Sequence, residues 1–368
     1  MKTEPTGNAA MQRLGWSDFF QRQLEPEPQT STIIGRVIGV RRNYFLIHDG
    51  TEERLVQASG SLAQKSDGRY AVIGDWVLVT DTRVDKVLPR RNYLSRGAAG
   101  GRGKQNDTAT KEQLIAANVD SVMIVCGLDR DFNLRRIERY LTLVYNCGLN
   151  PEIILTKADM HENPFEFEQQ VQSIAFGVPV HLIFLNDDTC LTHLQSALTF
   201  GTTAALIGSS GAGKSTLINR LLGHERQSTA AVSDAVGKGR HTTTTRDLLF
   251  LPSGGMLIDN PGIREVALGD SRESLETAFP DIDEYAALCR FHDCSHTSEP
   301  GCMVQHHIEE GTIKAERLES YNKMQRELQY NADREHKSAN RIEKENRKWI
   351  AVKVKQMKLQ QIRSAKRS

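Results

Sequence analysis

The segment ALIGSSGAGKSTLINRLL, residues 205–222, decides the fold class of this chain. An apolar run leads to Gly208, the pattern G-x-x-x-x-G-K-S follows, and a helix-forming stretch begins at Lys214. A strand, a glycine-rich turn and a helix in this order form a phosphate-binding loop. We predict that Lys214 contacts the β- and γ-phosphates of a nucleotide and that Ser215 binds Mg²⁺. The predicted contacts of this loop are Gly208, Ser209, Ser210, Gly211, Ala212, Gly213, Lys214, Ser215 and Thr216.

Residues 112–280 surround this loop and alternate between apolar strand patterns and amphipathic helix patterns. The predicted strands are 119–127, 151–156, 178–184, 202–208, 247–251 and 255–259, and the predicted helices are 133–147, 164–176, 188–199, 214–222 and 271–279. Nearly continuous apolar strands separated by helices indicate a parallel-type sheet that is covered on both faces. The fold class is therefore multidomain α/β, with a P-loop domain at 112–280.

The heptapeptide IILTKAD, residues 153–159, ends in Thr-Lys-x-Asp directly after a predicted strand. This ending resembles the tetrapeptide with which regulatory GTPases bind guanine. The Asp159 carboxylate offers acceptors to the two edge donors of guanine, and Lys157 would lie along the purine face. A buried polar edge of this kind discriminates between ligands by about 10⁴ or more. We predict that Thr156, Lys157 and Asp159 form the base site.

Two further segments carry the chemistry expected around a γ-phosphate. The stretch MLIDNPGIRE, residues 256–265, places Asp259 at the end of an apolar strand and Gly262 three positions later, in the pattern D-x-x-G. In this pattern the Asp holds a magnesium-bound water and the Gly N–H reaches the γ-phosphate. A threonine of GKGRHTTTTRDLLF, residues 237–250, can close over Mg²⁺ as switch segments do. The alternative for the threonines is a strand entry of high β-propensity.

The order of these motifs is unusual. Along the chain the guanine motif comes first, and the phosphate loop, the switch threonines and D-x-x-G follow. Ordinary GTPases place the guanine motif after the phosphate loop. Cutting one connection of a parallel sheet and joining the former ends leaves every strand in place. We predict a circularly permuted P-loop GTPase domain.

This constellation resembles the ribosome small-subunit-dependent GTPase A family of bacterial ribosome biogenesis factors. The family's GRHTTT motif is present at 239–244 and its D-x-P-G motif at 259–262. The resemblance implies an N-terminal OB-fold, a permuted GTPase domain, a C-terminal zinc-binding domain with helices, and GTP hydrolysis stimulated by the small (30S) ribosomal subunit late in its assembly. The chain departs from the family at 185–190, which read LNDDTC where a Ser-Ala base-contacting turn is usual.

The group that orients the attacking water is not the usual one. Many GTPases place Gln directly after D-x-x-G, whereas this chain has Ile263, which cannot hydrogen-bond to water. We expect slow intrinsic hydrolysis and predict His241, beside the switch threonines, as the activating group in cis; the family resemblance supports it. A solvated loop histidine is the alternative. The predicted catalytic residues are His241, Lys214 and Thr244, and the predicted magnesium ligands are Ser215 and Thr244.

The segment CRFHDCSHTSEPGC, residues 289–302, spaces three cysteines and one histidine as ligands of a metal. Three thiolates and one imidazole close a tetrahedral Zn²⁺ site with no open position, which is typical of a structural site. We predict one structural Zn²⁺ in a zinc-binding segment at 281–310. The predicted zinc ligands are Cys289, Cys294, His296 and Cys302.

The N-terminal third reads as three pieces. Residues 1–30 are polar and contain Pro5, Pro26 and Pro28, so we expect a flexible arm. Residues 31–95 contain short strand patterns broken by Gly or Asp, which predict an OB-like β-barrel of about five strands. An SH3-like domain is the alternative. Residues 96–111 predict a glycine-rich basic linker.

The C-terminal piece, 311–368, has helical propensity and a basic surplus. From Thr312 onward it contains 16 Lys and Arg against 7 Asp and Glu, although the whole chain has a net charge of only +1. A one-signed terminus indicates phosphate contact. Together with the barrel it predicts RNA as a partner. The family resemblance implies the 30S subunit and its 16S rRNA as that partner, and we expect a monomer.

The remaining composition is ordinary. Of 368 residues, 39% are apolar and 25% charged, and no apolar run is long enough for a membrane span. Six cysteines without a secretory signal indicate reduced thiols in a cytoplasm. Two other functions remain open from the residues alone. One is a P-loop ATPase or small-molecule kinase, in which Thr156–Asp159 is incidental. The other is an RNA-binding assembly module with only a structural nucleotide.

Overall fold

The computed structural model describes residues 7–24, 31–41, 44–58, 70–96, 113–224, 246–259, 272–297 and 299–336. In these ranges the strands are β1 (Thr32–Val40), β2 (Tyr44–His48), β3 (Glu53–Ala58), β4 (Trp76–Thr80), β5 (Arg83–Val87), β6 (Tyr93–Arg96), β7 (Gln113–Ala117), β8 (Ser121–Gly127), β9 (Asn150–Thr156), β10 (Val180–Leu182), β11 (Thr203–Ile207), β12 (Arg246–Phe250) and β13 (Met256–Asp259).

The helices in the same ranges are α1 (Gly7–Arg13), α2 (Asp18–Gln21), α3 (Leu134–Asn146), α4 (Pro164–Gln172), α5 (Thr192–Ala197), α6 (Lys214–Leu222), α7 (Arg272–Ala278), α8 (Pro280–Ala286), α9 (Met303–Glu309) and α10 (Ala315–His336). Short 3-10 turns occur at Arg22–Leu24, Ala158–Met160 and Thr189–Leu191. None of these helices combines the length and apolar character needed to span a bilayer.

The nucleotide-domain strands lie side by side in the order β10-β9-β8-β11-β13-β12. The pairings from β10 through β13 are parallel, as the sequence predicts. Strand β12 pairs antiparallel with β13, so the sheet is mixed and not wholly parallel. Sequence patterns could not give this direction, because an antiparallel strand covered on both faces is as apolar as a parallel one.

The spatial order supports the permutation. Strands β8, β9 and β10 precede β11, β12 and β13 in the chain, yet β11 lies between β8 and β13. Placing the second group ahead of the first in the sequence would leave every pairing of the sheet unchanged. The carboxyl ends of β8, β9, β11 and β13 all meet one edge of the sheet, since these strands run in the same direction.

Strand β8 shows why this sheet needs helices on both faces. Val122 and Ile124 are fully buried in one apolar cluster, which also contains side chains of α3 and α4. Met123 and Val125 are buried in a second cluster with side chains of α5 and α6. Successive side chains of a strand point to opposite faces. Both faces therefore bury apolar residues, and the strand reads as a continuous apolar run.

The N-terminal strands close on themselves. Their order is β1-β2-β3-β5-β4, and β1 also pairs with β4. All of these pairings are antiparallel except that between β3 and β5. Val37, Ile47, Val56, Val77 and Val79 form the apolar centre of this closed set. Strand β1 also pairs with β12, so the set is continuous with the nucleotide-domain sheet.

Two expectations for the N-terminal part need correction. Residues 7–24 of the expected flexible arm contain α1 and α2, and Trp16 and Phe20 are buried against Trp76, with ring centroids 4.7 and 5.8 Å from it. A few aromatic residues bury enough area to dock a polar segment. Strand β7 was not predicted; it pairs with β6. Most of the predicted linker, 97–111, lies outside the described residues.

The C-terminal helices α7 to α10 have an apolar core of their own around Phe279, Ile282, Val304 and Tyr321. Helix α10 also contacts α3 of the nucleotide domain. The guanidinium of Arg317 is 2.9 Å from the Glu138 carboxylate, and both side chains are buried. Residues 337–368 of the predicted basic tail lie outside the described residues.

A buried guanidinium joins three parts of the fold. Arg36 on β1 is only 1% exposed. It donates hydrogen bonds to the carbonyl oxygens of Leu14 at 2.6 Å, Asn118 at 3.0 Å and Gly74 at 3.3 Å. Burial lowers the pKa of Arg36 to about 10, which leaves it charged at neutral pH. The N-terminal segment, the closed strands and the nucleotide domain therefore share one cation.

We predict that Arg36→Met lowers the free energy of unfolding by about 3 kcal/mol or more. The change leaves the buried carbonyl groups of Leu14 and Asn118 without their donor, whereas the Gly74 carbonyl keeps a hydrogen bond from the Asn118 side chain at 3.0 Å. An orphaned buried group costs about 1–3 kcal/mol. Urea unfolding measures the loss. Arg54→Met on β3 is the matched control, since its ion pairs are exposed to solvent and contribute little to stability. Equal effects of the two changes would contradict a joining role for Arg36.

Candidate nucleotide-binding site

The turn between β11 and α6 approaches the neighbouring strands closely. At Gly208 the φ angle is +147°, and a Cβ there would lie 2.2 Å from the Val125 carbonyl oxygen of β8. At Gly213 the φ angle is +89°, and a Cβ would lie 2.8 Å from the Thr156 hydroxyl at the end of β9. Only glycine fits both the backbone angle and the space. The two glycines thus set the path of the loop between β11 and α6, where it passes close to β8 and to the end of β9.

Lys214 opens helix α6 and turns back across this loop. Its ammonium donates to the carbonyl oxygens of Gly208 at 2.8 Å and Ser209 at 2.5 Å. Burial lowers the pKa of Lys214, and the charges of Asp259 and Asp131 oppose this effect. Ser215 and Thr216 follow in the first turn of α6 and are exposed. The predicted phosphate-loop residues therefore lie together at the carboxyl edge of the sheet.

The Thr-Lys-x-Asp segment contacts the same loop. The buried Thr156 hydroxyl donates to the Ala212 carbonyl oxygen at 2.6 Å. Lys157 has a left-handed backbone, with φ of 61°, and its ammonium donates to the Gly211 carbonyl oxygen at 2.7 Å. The same ammonium is 2.7 Å from the Asp129 carboxylate. The structure thus brings together the two predicted motifs, although 51 residues separate Lys157 from Gly208 in the sequence.

Asp159 lies at the outer side of this segment. Its carboxylate accepts a hydrogen bond from the backbone N–H of Leu185 at 3.0 Å. Leu185 begins the LNDDTC stretch, and its side chain is exposed. Arg220 of α6 holds this stretch by donating to the carbonyl oxygens of Phe184 at 2.6 Å and Asp187 at 2.7 Å. A backbone group of the divergent loop therefore contacts the predicted base site.

Asp259 ends β13, beside the phosphate loop. It is paired in register with Leu206 of β11, two residues before Gly208. Its charge opposes the lowering of the Lys214 pKa that burial causes. Gly262, His241 and Thr244 lie outside the described residues, so their predicted roles remain predictions.

Sequence reasoning missed two acidic residues of this site. Asp129 and Asp131 lie in the turn between β8 and α3, and Asp131 accepts a hydrogen bond from the Ser209 hydroxyl. Asp129 binds Lys157, and this ion pair lowers the pKa of the Asp129 carboxyl. The available signal was their position directly after a buried strand that lies between the two strands carrying the motifs.

The predicted metal ligands form a compact cluster near α9. Ligand atoms of Cys289, Cys294, His296 and Cys302 all lie within 4.8 Å of one another. The His296 Nδ1 is 3.6 Å from the Cys289 sulfur and 3.5 Å from the Cys302 sulfur. Burial lowers the pKa of His296, which favours the neutral imidazole that a metal binds. Three thiols and one imidazole fit a divalent metal of the zinc type.

Comparisons with known proteins agree with this geometry. The family model of the RsgA GTPase matches residues 87–269. A small ribosomal subunit biogenesis GTPase RsgA from Methanosarcina acetivorans is 45% identical over 307 residues, which are 82% of this chain and 81% of that protein. A small ribosomal subunit biogenesis GTPase RsgA 2 from Vibrio vulnificus is 40% identical over 94% of this chain and 96% of that protein.

Two solved structures share the fold. The crystal structure of YjeQ from Thermotoga maritima matches with a TM-score of 0.58 and 25% identity, and the match covers 81% of this chain and 98% of that chain. The crystal structure of YloQ, a circularly permuted GTPase, matches with a TM-score of 0.54 and 24% identity over 84% of this chain and 98% of that chain. On the motifs, the strand order and these matches, the chain belongs to the RsgA GTPase family.

Proposed function

We propose that this chain hydrolyses GTP as a late maturation factor of the small ribosomal subunit, and that the 30S subunit stimulates the turnover. Its family consists of GTPases, and its relatives are named for biogenesis of this subunit. The observation that carries the proposal is the joining of the Thr-Lys-x-Asp segment to the phosphate loop through Thr156–Ala212 and Lys157–Gly211. A base bound by one motif then has its phosphates at the other.

Guanine recognition rests on Asp159. Its carboxylate already accepts the Leu185 N–H, which orients it, and an ionised carboxylate has further lone pairs for the two edge donors of guanine. Adenine presents a different edge and would leave this carboxylate mismatched. The Lys157 ammonium is held by the Asp129 carboxylate and the Gly211 carbonyl oxygen, and the alkyl part of its side chain faces the base. These contacts favour guanine over adenine, so an ATPase or kinase fits the site less well.

Phosphate binding involves the loop from Gly208 to Thr216. Backbone N–H groups of Ser209, Ser210, Gly211, Ala212 and Gly213 surround the phosphates, and Lys214 places its charge between the β- and γ-phosphates. Ser215 and Thr244 would ligate Mg²⁺, with Asp259 holding a water of the ion. Bound Mg²⁺ neutralises charge on the phosphate oxygens. His241 orients the attacking water, and the Gly262 N–H binds the γ-phosphate.

The cysteine and histidine cluster holds one structural Zn²⁺. The donor set leaves no open coordination position, and the cluster lies against the apolar core of α7 to α10. Cys302 also caps α9 by accepting the Gln305 N–H, and Gln305 in turn donates to the His296 carbonyl at 2.6 Å. Metal binding therefore orders the start of α9 together with the cluster.

The N-terminal strands act as an OB-fold that binds 16S rRNA. Their closed order and the parallel pairing of β3 with β5 support this assignment. Tyr44 on β2 and Leu55 on β3 are exposed on the strands whose face binds oligonucleotides in OB-folds. The basic residues beyond α10 add contacts to phosphates. We assign the chain to the cytoplasm as a monomer. We propose the bounds 31–95 for the OB-fold, 112–280 for the GTPase domain and 281–310 for the zinc-binding segment.

We predict that GTP turnover rises when 30S subunits are added and that Lys214→Ala lowers the stimulated rate by about 10² or more. An electrostatic contact to the reacting phosphates is typically worth that much. Phosphate release measures the rate. Gln169→Ala, at an exposed position of α4 in the nucleotide domain, is the matched control. GTP binding without turnover, even on the subunit, would favour the non-enzymatic assembly module.

We predict that Thr156→Val weakens GDP affinity by about tenfold, which corresponds to about 1.4 kcal/mol. The change removes the hydroxyl that holds the Ala212 carbonyl and keeps the side-chain shape. Thr203→Val on β11, two strands away from β9 in the same sheet, is the matched control, because the buried Thr203 hydroxyl has no hydrogen-bond partner among the described residues. Titration with a fluorescent GDP derivative decides between them. Equal affinities for the two variants would remove Thr156 from the site.

We predict one Zn²⁺ per chain in protein purified without chelator, and none in Cys302→Ala. The loss of one thiolate opens the tetrahedral site, and the melting temperature should fall because metal affinity contributes to folding of such segments. Elemental analysis gives the stoichiometry. Cys190→Ala, a half-buried thiol outside the cluster, should keep the metal. Metal-free wild-type protein with an unchanged melting temperature after chelation would refute the site.

A further inference from the structure

The turn between β8 and α3 places the Asp131 carboxylate in contact with the phosphate loop. Asp131 accepts hydrogen bonds from the Ser209 hydroxyl and from the guanidinium of Arg136. Its second carboxylate oxygen accepts the Gly127 N–H at 3.3 Å, and its side chain is only 14% exposed. Three donors from a strand, a loop and a helix therefore hold one carboxylate in place.

The local sequence builds this turn. The Asp131 N–H donates to the Asp129 carboxylate at 3.0 Å, which tightens the chain after β8. Asn133 then caps α3 by accepting the Arg136 N–H at 3.1 Å, so the helix begins at Leu134. These two interactions fix the backbone on both sides of Asp131. The position of its carboxylate is thus set before any nucleotide binds.

Ser209 connects this carboxylate to Lys214. The Ser209 side chain donates to Asp131, and the Ser209 carbonyl oxygen accepts the Lys214 ammonium at 2.5 Å. The hydroxyl restrains the residue, and the carbonyl of the same residue restrains the lysine. A chain of two hydrogen bonds therefore runs from Asp131 to the cation of the phosphate site.

We propose that Asp131 is a positioning residue for GTP hydrolysis, which holds Lys214 toward the β- and γ-phosphates through Ser209. The inference rests on the proposed GTPase function of the site and assigns a role that the phosphate-loop motif does not contain. Asp131 does not contact the nucleotide in this role. It sets the orientation of Ser209, whose carbonyl oxygen accepts the hydrogen bond from Lys214.

The charges around Asp131 fit this role. Burial lowers the pKa of Lys214, and the carboxylates of Asp259 and Asp131 oppose that effect. An unpaired carboxylate beside the loop would also repel phosphates, but Arg136 pairs with Asp131 and offsets its charge. The same turn orients the other lysine of the site, since Asp129 is 2.7 Å from Lys157.

The test measures GTP hydrolysis and GDP affinity of Ser209→Ala, Asp131→Ala and the double variant. We expect each single change to lower kcat by about tenfold, the cost of one charge-assisted hydrogen bond. GDP affinity should change less, because the lysine acts most on charge that develops during hydrolysis. The double variant should lose no more than Asp131→Ala, since both changes break the same link. The proposal would be overturned if the loss of kcat in the double variant equalled the product of the two single losses. A wild-type kcat in Ser209→Ala would also overturn it.

Two further comparisons separate positioning from folding. Asp131→Asn keeps an acceptor for the Ser209 hydroxyl and should recover most of the lost rate, whereas a loss equal to that of Asp131→Ala would overturn the proposal. Arg136→Ala should lower kcat. Arg135→Ala is the control, since Arg135 precedes Arg136 on α3 and pairs with Glu319, and it should leave kcat unchanged. Equal rates in the two variants would overturn the proposal. Wild-type protein without GTP hydrolysis on 30S subunits would instead reject the proposed function itself.

Discussion

The parallel pairing of β8, β9, β11 and β13 is the constraint on which the site depends. It brings the carboxyl ends of four strands to one edge of the sheet, and the described loops after β8, β9 and β11 carry charged or hydroxyl groups that find partners there. The lysines of two loops are satisfied by carbonyl oxygens of the phosphate loop and by a carboxylate from the turn after β8. The permutation changes which connections join these strands and leaves the edge intact.

The parts that flank the nucleotide domain attach to it at separate elements. Strand β1 pairs with β12, and Arg41 lies 2.7 Å from Asp247 beside that pairing. Strand β12 begins directly after the predicted switch threonines, so the closed N-terminal strands adjoin the end of the switch segment. Helix α10 attaches instead to α3. Buried Arg36 secures the N-terminal attachment through carbonyl groups of three segments.

Sequence patterns predicted the elements that local residue order determines. Strand β13 at Met256–Asp259 and helix α6 at Lys214–Leu222 agree with the predicted ranges to within one residue, because an apolar run bounded by breakers and a glycine-ended turn act over short distances. The docking of Trp16 and Phe20 on Trp76 and the pairing of β6 with β7 depend on contacts between distant residues. Asp129 and Asp131 were not predicted as site residues for the same reason. Their partners Lys157 and Ser209 are distant in the sequence and come close only in the folded chain.

Helix α3 gives the C-terminal part a direct route to the phosphate loop. Its start follows Asp131, and along its length Glu138 pairs with Arg317 and Arg139 with Glu327 of α10. Desolvation offsets much of the attraction in the buried Glu138–Arg317 pair, and burial raises the pKa of Glu138. The pair therefore specifies a docking position more than it stabilises the fold. A packed helix moves as a unit, so any displacement of the turn at Asp131 would be passed along α3 to these ion pairs. Coupling free energies are reciprocal. If a partner that holds α10 in one position changes the affinity for nucleotide, nucleotide must therefore change the affinity for that partner by the same factor.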